Sequence, residues 1–275
     1  MARALKTPAR GLRFTEGNHT YYLDGKRCPG VTTILKVLDK PALTRWAATT
    51  VAEYVADHPD AIEVLRDAGR PALVTTLKEV PFQKRDKAAE RGKNLHDYTQ
   101  QLLEGVEIDV DTVPDELIPV LENAIAFLDD WQIVPLLIEA PVASRADWWA
   151  GTLDLVAGYT RPDTGATGVG VFDWKSGKGI YAEYAWQFSA YGHAEFSGLL
   201  GDETPLPEGI ASAFGVQIRA DGYDVAPMAY SRAIYDEFLA IKAVAEIATR
   251  GRGDYKRPGS GHVGIMIQTG IEVTR

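Results

Sequence analysis

Two spacings of apolar residues follow one another along the chain from residue 82 onward. Apolar and small residues recur every three to four positions over 82–104, which predicts an amphipathic helix, and a second helix is predicted over about 115–131. The pattern then changes to compact runs rich in β-branched and aromatic residues, bounded by turn residues. These runs predict three consecutive strands over 133–142, 149–159 and 168–175.

The remaining pattern extends this core. It predicts a helix over about 181–199, strands over 209–219 and 223–230, and a closing helix over 234–250. The core order is therefore helix, three strands, helix, two strands, helix. Helices alternating with strands in this way predict an α/β fold with helices packed on a sheet.

The first eighty residues have a different organisation. A hairpin is predicted over 14–27, because Asp24 and Gly25 readily adopt the positive φ angles of a tight turn. Helices are predicted over 31–38 and 42–55, and a loop or irregular helical connection over 57–71. We divide the chain into an N-terminal hairpin and helical extension over 1–81, a core over 82–250 and a C-terminal tail over 251–275.

Composition narrows the class of protein. The chain has 275 residues, 45% of them hydrophobic, and contains no run of about 18 apolar residues that would span a membrane. Its first residues lack the apolar segment of a secretory signal, so we expect a cytoplasmic protein. The single cysteine, Cys28, excludes an intrachain disulfide and a cysteine-ligated zinc or iron–sulfur site. A net charge of −9 argues against indiscriminate binding of polyanions.

Charged residues occur where a core strand would not ordinarily carry them. Asp173 and Lys175 end a strongly apolar run and, being two apart, point to the same side of a strand. Asp154 lies inside the preceding predicted strand, and Glu139 ends the one before it. His96 lies at the edge of the apolar stripe of its helix. Taken singly, His96 could be an ordinary core histidine and Glu139 a strand-end charge that reaches water.

Together these residues predict a metal site. Carboxylates and one imidazole form a hard oxygen and nitrogen ligand set, which suits Mg²⁺ or Mn²⁺. Lys175 beside such an ion can orient or deprotonate an attacking water and stabilise charge on a phosphoryl oxygen. Gln187 and Tyr191 are four residues apart on the following helix, so they lie on one face of it. This combination of a metal site, a lysine and a polar helix face suits phosphodiester hydrolysis.

The succession of these motifs resembles a known family. Arg91-Gly92-x-x-x-His96, Glu139, Gly151-x-x-Asp154, Asp173-x-Lys175 and Gln187-x-x-x-Tyr191 occur over about 82–199 in the order typical of the PD-(D/E)XK nuclease superfamily, in its RecB-like exonuclease branch. That branch includes phage recombination exonucleases and the exonucleases associated with CRISPR adaptation. The N-terminal region also looks like the extension of phage-encoded members.

The resemblance implies a restriction-endonuclease-like core with a mixed central sheet, and it implies a role for each matching residue. His96, Asp154 and Asp173 would hold the metal with the backbone carbonyl of Trp174, and Lys175 would be the catalytic lysine. Glu139 would assist through water or a second ion. Contacts to DNA would come from Arg91, Gln187 and Tyr191. Many relatives bind an iron–sulfur cluster through four cysteines, so this chain resembles the cluster-free members.

We therefore expect a Mg²⁺- or Mn²⁺-dependent exonuclease acting on linear DNA in phage or bacterial recombination or repair. A single-strand annealing protein is the partner that the resemblance suggests. One alternative is a non-catalytic DNA-binding or partner-dependent protein on the same fold. Another is an HD-type phosphohydrolase, suggested by the adjacent His96 and Asp97, although that class predicts an all-helical domain with further histidine ligands. Polarity, strand preference and oligomeric state stay open.

Overall fold

The computed structural model describes residues 10–175 and 179–250, except the side chain of Arg91. Nine strands form in this part of the chain: β1 (Leu12–Thr15), β2 (Thr20–Leu23), β3 (Lys26–Cys28), β4 (Val134–Ser144), β5 (Trp149–Thr160), β6 (Thr167–Trp174), β7 (Phe196–Ser197), β8 (Ile210–Arg219) and β9 (Gly222–Met228). Its seven α-helices are α1 (Val31–Leu35), α2 (Pro41–Asp57), α3 (Pro59–Asp67), α4 (Arg70–Leu103), α5 (Ile118–Asp130), α6 (Tyr184–Gly192) and α7 (Arg232–Arg250).

A mixed six-stranded sheet forms the centre of the molecule. Its strand order is β7-β4-β5-β6-β8-β9, and every neighbouring pair is antiparallel except β6 and β8. The parallel pair is joined by a crossover that contains α6, as parallel neighbours require. The predicted α/β class and mixed sheet are confirmed.

Helices cover both faces of the sheet, which explains why its central strands are apolar on both sides. Helices α1, α6 and α7 pack on one face, where Val156 and Val171 meet Phe188 and Phe238. Helix α5 and the C-terminal part of α4 pack on the other face, where Leu155 and Phe172 are buried with Leu95 and Phe127. Strands β5 and β6 are therefore packed between α6 on one face of the sheet and α4 on the other.

The N-terminal strands form a separate three-stranded antiparallel sheet in the order β1-β2-β3. The turn predicted at Asp24 and Gly25 is confirmed, and both residues have positive φ, +48° and +78°. Leu12, Leu23 and Cys28 pack in a third cluster with Ala143, Ala150 and Phe196 of the central sheet. Arg145 adds ion pairs to Asp24 at 3.1 Å and Glu203 at 2.8 Å. The small sheet is therefore fastened to the core.

Most predicted elements form within two or three residues of their expected bounds, and the differences concern helix limits and two strands that were not predicted, β1 before the expected hairpin and β7 at the edge of the central sheet. The expected irregular connection over 57–71 contains helix α3, and α4 begins at Arg70, well before residue 82. Prolines at the first positions of both helices explain the difference, because those positions need no backbone N–H. Pro81 lies inside α4, so the proposed boundary at 81/82 falls within one helix.

The helix expected over 181–199 is also shorter than predicted. It ends at Gly192, and β7 follows at the edge of the sheet. The expected tail over 251–275 lies outside the described residues. No helix within 10–175 and 179–250 combines the length and apolar character needed to cross a membrane.

Candidate metal centre

A cleft of about 690 Å³ opens between the two sheets, bordered by α1, α4 and α6. Its wall contains three of the predicted metal-binding or catalytic residues, from three separate elements: His96 from α4, Glu139 from β4 and Asp154 from β5. Gln187 and Tyr191 of α6 close one side. The small N-terminal sheet closes another side with aromatic and polar side chains: Phe14, Glu16, His19 and Tyr21.

His96, Glu139 and Asp154 form a compact group in this cleft. The Nδ1 atom of His96 lies 3.1 Å from Oε1 of Glu139 and 3.6 Å from Oδ2 of Asp154. One nitrogen or oxygen atom from each residue can be chosen so that all three lie within 4.8 Å of one another. An imidazole and two carboxylates at this spacing can converge on one hard divalent cation.

The backbone around Glu139 is irregular in a way that serves this geometry. Glu139 has a φ of +42°, in the left-handed region that non-glycine residues rarely adopt. The flanking pairs of Ile138 with Leu155 and Ala140 with Leu153 place it across from Asp154. Leu153 and Leu155 join opposite core clusters although they are two residues apart, so the usual alternation is interrupted there. The irregularity brings both carboxylates to the cleft.

The crowded acidic groups raise the pKa values of His96 and Asp154. Burial alone would lower the pKa of His96, but the hydrogen bond to Glu139 and the charges of Asp154, Glu139 and Asp173 raise it to about 9. Burial raises the pKa of Asp154 well above its usual range, and the nearby charge of Asp173 raises it further. Protons therefore stabilise the crowded carboxylates in the free protein. A divalent ion can replace them.

A second cluster lies directly beside the first, at the end of β6. Lys175 forms an ion pair with Asp173, and their side chains are 13% and 3% exposed. Gln187 lies between them and Tyr191: its Nε2 donates to Oδ1 of Asp173 at 3.0 Å and to the Tyr191 hydroxyl at 3.4 Å, and its Oε1 accepts from Lys175 Nζ at 3.4 Å. The Lys175 ammonium also lies 4.1 Å from the centre of the Tyr184 ring. Lys175 is thus fixed in position.

Two contacts join the clusters. The backbone N–H of Trp174 donates to Oδ2 of Asp154 at 2.8 Å, which orients that carboxylate. Tyr191 lies against Gly151, where an added Cβ would meet the tyrosine ring at 2.6 Å. Only glycine leaves room for Tyr191 beneath the centre, which explains the glycine of the Gly151-x-x-Asp154 motif.

The structure places the predicted site residues together but divides them differently. Glu139, expected in an assisting role, belongs to the compact group with His96. Asp173 contacts Lys175 and Gln187, and its ligand role stays a prediction. The ligand role of the Trp174 carbonyl stays a prediction. The side chain of Arg91 lies outside the described residues, so its predicted contact with DNA also stays a prediction.

The contribution of the N-terminal sheet to the cleft was not expected from the sequence. Tyr21 forms a hydrogen bond of 2.9 Å with Thr152 of β5, which closes the cleft beside Asp154. Nothing local marks Tyr21, because its partner is 131 residues away.

No protein-family model matches the chain, and a search of curated proteins finds no match either. The geometry of the cleft therefore carries the functional proposal.

Proposed function

We propose that the protein is a Mg²⁺- or Mn²⁺-dependent nuclease that hydrolyses phosphodiester bonds of linear DNA. The observation that carries the proposal is the compact group of His96, Glu139 and Asp154 beside the buried Lys175–Asp173 pair. A cation site next to a fixed lysine, at the wall of an open cleft, can support phosphoryl transfer to water.

The donor set fits a hard divalent ion held by His96, Glu139 and Asp154. A bound Mg²⁺ or Mn²⁺ would lower the pKa of a water and draw charge from a phosphoryl oxygen. The N–H of Trp174 keeps the Asp154 carboxylate turned toward its ligand position. Glu139 orients the His96 ring through the 3.1 Å hydrogen bond in the free protein. Asp173 adds negative charge behind these ligands.

Lys175 supplies the positive charge that the reaction needs. Its ammonium is only partly hydrated, so its charge acts through a poorly screened environment. It can orient the attacking water or stabilise charge that develops on a nonbridging oxygen. Gln187 is a positioning residue, since it accepts from Lys175 and donates to Asp173. Tyr191 supports Gln187 from the buried side.

The finer assignment rests on the resemblance of the motifs. We propose a restriction-endonuclease-like fold in the RecB-like branch, exonucleolytic cutting from ends, and a cytoplasmic role in phage or bacterial recombination or repair. A single-strand annealing protein is the proposed partner. The absence of four cysteines from the chain is consistent with a branch member that needs no iron–sulfur cluster.

The second candidate function is DNA binding without cleavage, or cleavage that needs a partner. The net charge of −9 supports the partner-dependent form of this candidate, since it disfavours independent capture of DNA. An HD-type phosphohydrolase is disfavoured because the second predicted ligand of that motif, Asp97, is absent from the cleft wall, while residues of β4 and β5 contribute to it.

A DNA degradation assay tests the proposal. Its substrates are end-labelled linear DNA, single- and double-stranded, and a closed circle, each incubated with Mg²⁺, Mn²⁺ or chelator. Lys175→Met is compared with Lys242→Met, whose side chain is equally 13% exposed and forms an ion pair with Glu246 on α7. We expect the protein to degrade linear DNA only with metal. The rate of degradation should be unchanged in the Lys242 variant and about 10²-fold or more lower in the Lys175 variant. Equal activity of both variants would refute the role of Lys175. Folded, metal-loaded protein that cuts no substrate would favour the second candidate.

A further inference from the structure

A second groove, of about 620 Å³, lies between α2 and the middle of α4. Arg45, Trp46 and Glu53 of α2 form one side of it, and Lys84 and Lys87 of α4 form the other. Small residues line the rest of it: Ala42, Thr49, Thr50 and Ala88. None of these residues belongs to the metal centre.

The charge of this groove is opposite to that of the whole chain. Three cations and one carboxylate line it, in a protein whose net charge is −9. Lys84 lies 3.6 Å from Glu53, but both side chains are more than half exposed, so the pair is weak. Arg45 and Lys87 form no ion pair within the described residues. The groove therefore offers positive charge to a polyanion.

The metal cleft cannot supply that attraction by itself. Its wall carries the carboxylates of Glu16, Glu139 and Asp154, against Lys93 and the imidazoles of His19 and His96. These charges largely cancel, because the pKa of His96 is raised to about 9 and that of Asp154 is raised as well, so the cleft can hold a cation and a reacting phosphate but offers little net attraction to the rest of a phosphodiester chain. A nuclease with this cleft needs a second surface to retain its substrate.

Trp46 indicates which form of nucleic acid suits the groove. Its indole is partly exposed between Arg45 and the small residues of the groove, while Thr50, one turn along α2, is buried. An accessible aromatic ring beside cations can stack an unpaired base, whereas the bases of a duplex are already stacked on one another.

We propose that the α2–α4 groove is an accessory binding site for single-stranded DNA, a proposal that rests on the proposed function. Arg45, Lys84 and Lys87 contact consecutive phosphates there, and an unpaired base stacks on Trp46. The groove retains the strand and takes no part in the chemistry. It therefore raises affinity for long substrates only.

The spacing along α4 separates this site from the metal centre. Lys87 and His96 are nine residues apart, which is two and a half turns and about 13 Å along the helix axis. They therefore project from opposite sides of α4. At about 3.4 Å per stacked nucleotide, a bound strand needs at least about four nucleotides to reach from one site to the other.

Fluorescence anisotropy of a labelled 30-nucleotide oligo(dT), with chelator and over a range of salt, tests the site. The triple variant Arg45→Gln, Lys84→Gln, Lys87→Gln removes three exposed charges and should not disturb folding. We expect the slope of log K against log salt to lose about 2 and affinity at 0.1 M salt to fall roughly a hundredfold. The matched control removes three exposed cations outside the groove: Lys26, Arg27 and Lys78.

Trp46→Leu tests stacking separately. We expect it to weaken binding of the oligo(dT) by about fivefold or more and to leave binding of a 30-base-pair duplex unchanged. Equal losses for the triple variant and its control would overturn the site. Equal losses of single strand and duplex with Trp46→Leu would overturn stacking on an unpaired base.

Cleavage assays separate this proposal from the proposed function. The small diester bis(p-nitrophenyl) phosphate cannot span the two sites, so the triple variant should hydrolyse it as the unchanged protein does. Oligo(dT) binding that depends on the three cations, in a protein that hydrolyses neither diester nor DNA, would support the groove and refute the nuclease. If the protein hydrolyses DNA with metal but binds oligo(dT) equally well without the three cations, the nuclease proposal is supported and the groove is refuted.

Discussion

The buried ion pair between Lys175 and Asp173 allows the stability of the site to be separated from its chemistry. Lys175→Met keeps the length of the side chain but removes the cation beside a carboxylate that is 3% exposed. Removing one member of a buried pair typically costs about 3–5 kcal/mol, because the remaining charge has no partner. The additional change Asp173→Asn removes that charge, and an asparagine oxygen can still accept from Gln187.

Thermal and urea unfolding of four proteins in chelator measures this coupling: the unchanged chain, each single variant and the double variant. At roughly 2–4 °C per kcal/mol for a chain of this size, Lys175→Met should lower Tm by about 10 °C. The double variant should recover most of that loss, and with the cost of Asp173→Asn alone added this gives a coupling free energy of at least about 2–3 kcal/mol. Nuclease activity should stay lost in the double variant, because the lysine charge is still missing.

Two results would refute this reasoning. A coupling free energy below about 0.5 kcal/mol would mean that the two charges do not depend on each other in the folded protein. Recovery of nuclease activity together with stability would mean that Lys175 only neutralises Asp173 and takes no part in the reaction. The Lys242→Met variant shows how much an equally exposed lysine contributes when its partner, Glu246, is 43% exposed.

Three further predictions concern the cleft and the core. Because the pKa of His96 is about 9 without metal and a ligand nitrogen must be unprotonated, Mn²⁺ binding at pH 7 should release at least one proton, to which any proton held by Asp154 would add. Calorimetry in two buffers of different ionisation enthalpy measures it, and no release would exclude His96 as a ligand. Gly151→Ala should lower the free energy of unfolding, measured with urea, by about 1–3 kcal/mol, because the added Cβ would meet the buried Tyr191 ring. A decrease below about 0.5 kcal/mol would contradict that packing. Tyr235→Phe should cost about 1–3 kcal/mol, because the 2.8 Å hydrogen bond from the buried Trp149 indole is lost; unchanged unfolding would show that this N–H finds another acceptor.

The strands and core helices could be predicted because their signals are local. Runs such as Val169–Phe172 are apolar on both faces, and turn residues mark their ends. The pattern over 57–71 predicts only a loop or irregular helical connection, because prolines usually interrupt helices, whereas at the first positions of α3 and α4 they favour helix. The order of strands and the parallel pairing of β6 with β8 depend on long-range packing that no local pattern contains.

The candidate site could be predicted in membership but not in arrangement. Asp173, Lys175 and Gln187 lie within fifteen residues, so a strand and the following helix bring them together. The distinction between Glu139 and Asp173 depends on the irregular backbone opposite Asp154, which the sequence does not mark. The contribution of Tyr21 to the cleft wall depends on how the N-terminal sheet packs across the cleft, which is also a long-range contact.

The left-handed conformation of Glu139 sets two selective pressures against each other. A side chain held at a φ of +42° costs of order 1–3 kcal/mol, and glycine or asparagine adopts this conformation more readily. A library selected for thermal stability alone should therefore drift to glycine or asparagine at this position, and one selected for cleavage should keep glutamate. The divergence of the two libraries at a single residue would show that this glutamate is retained for its activity and at the expense of stability.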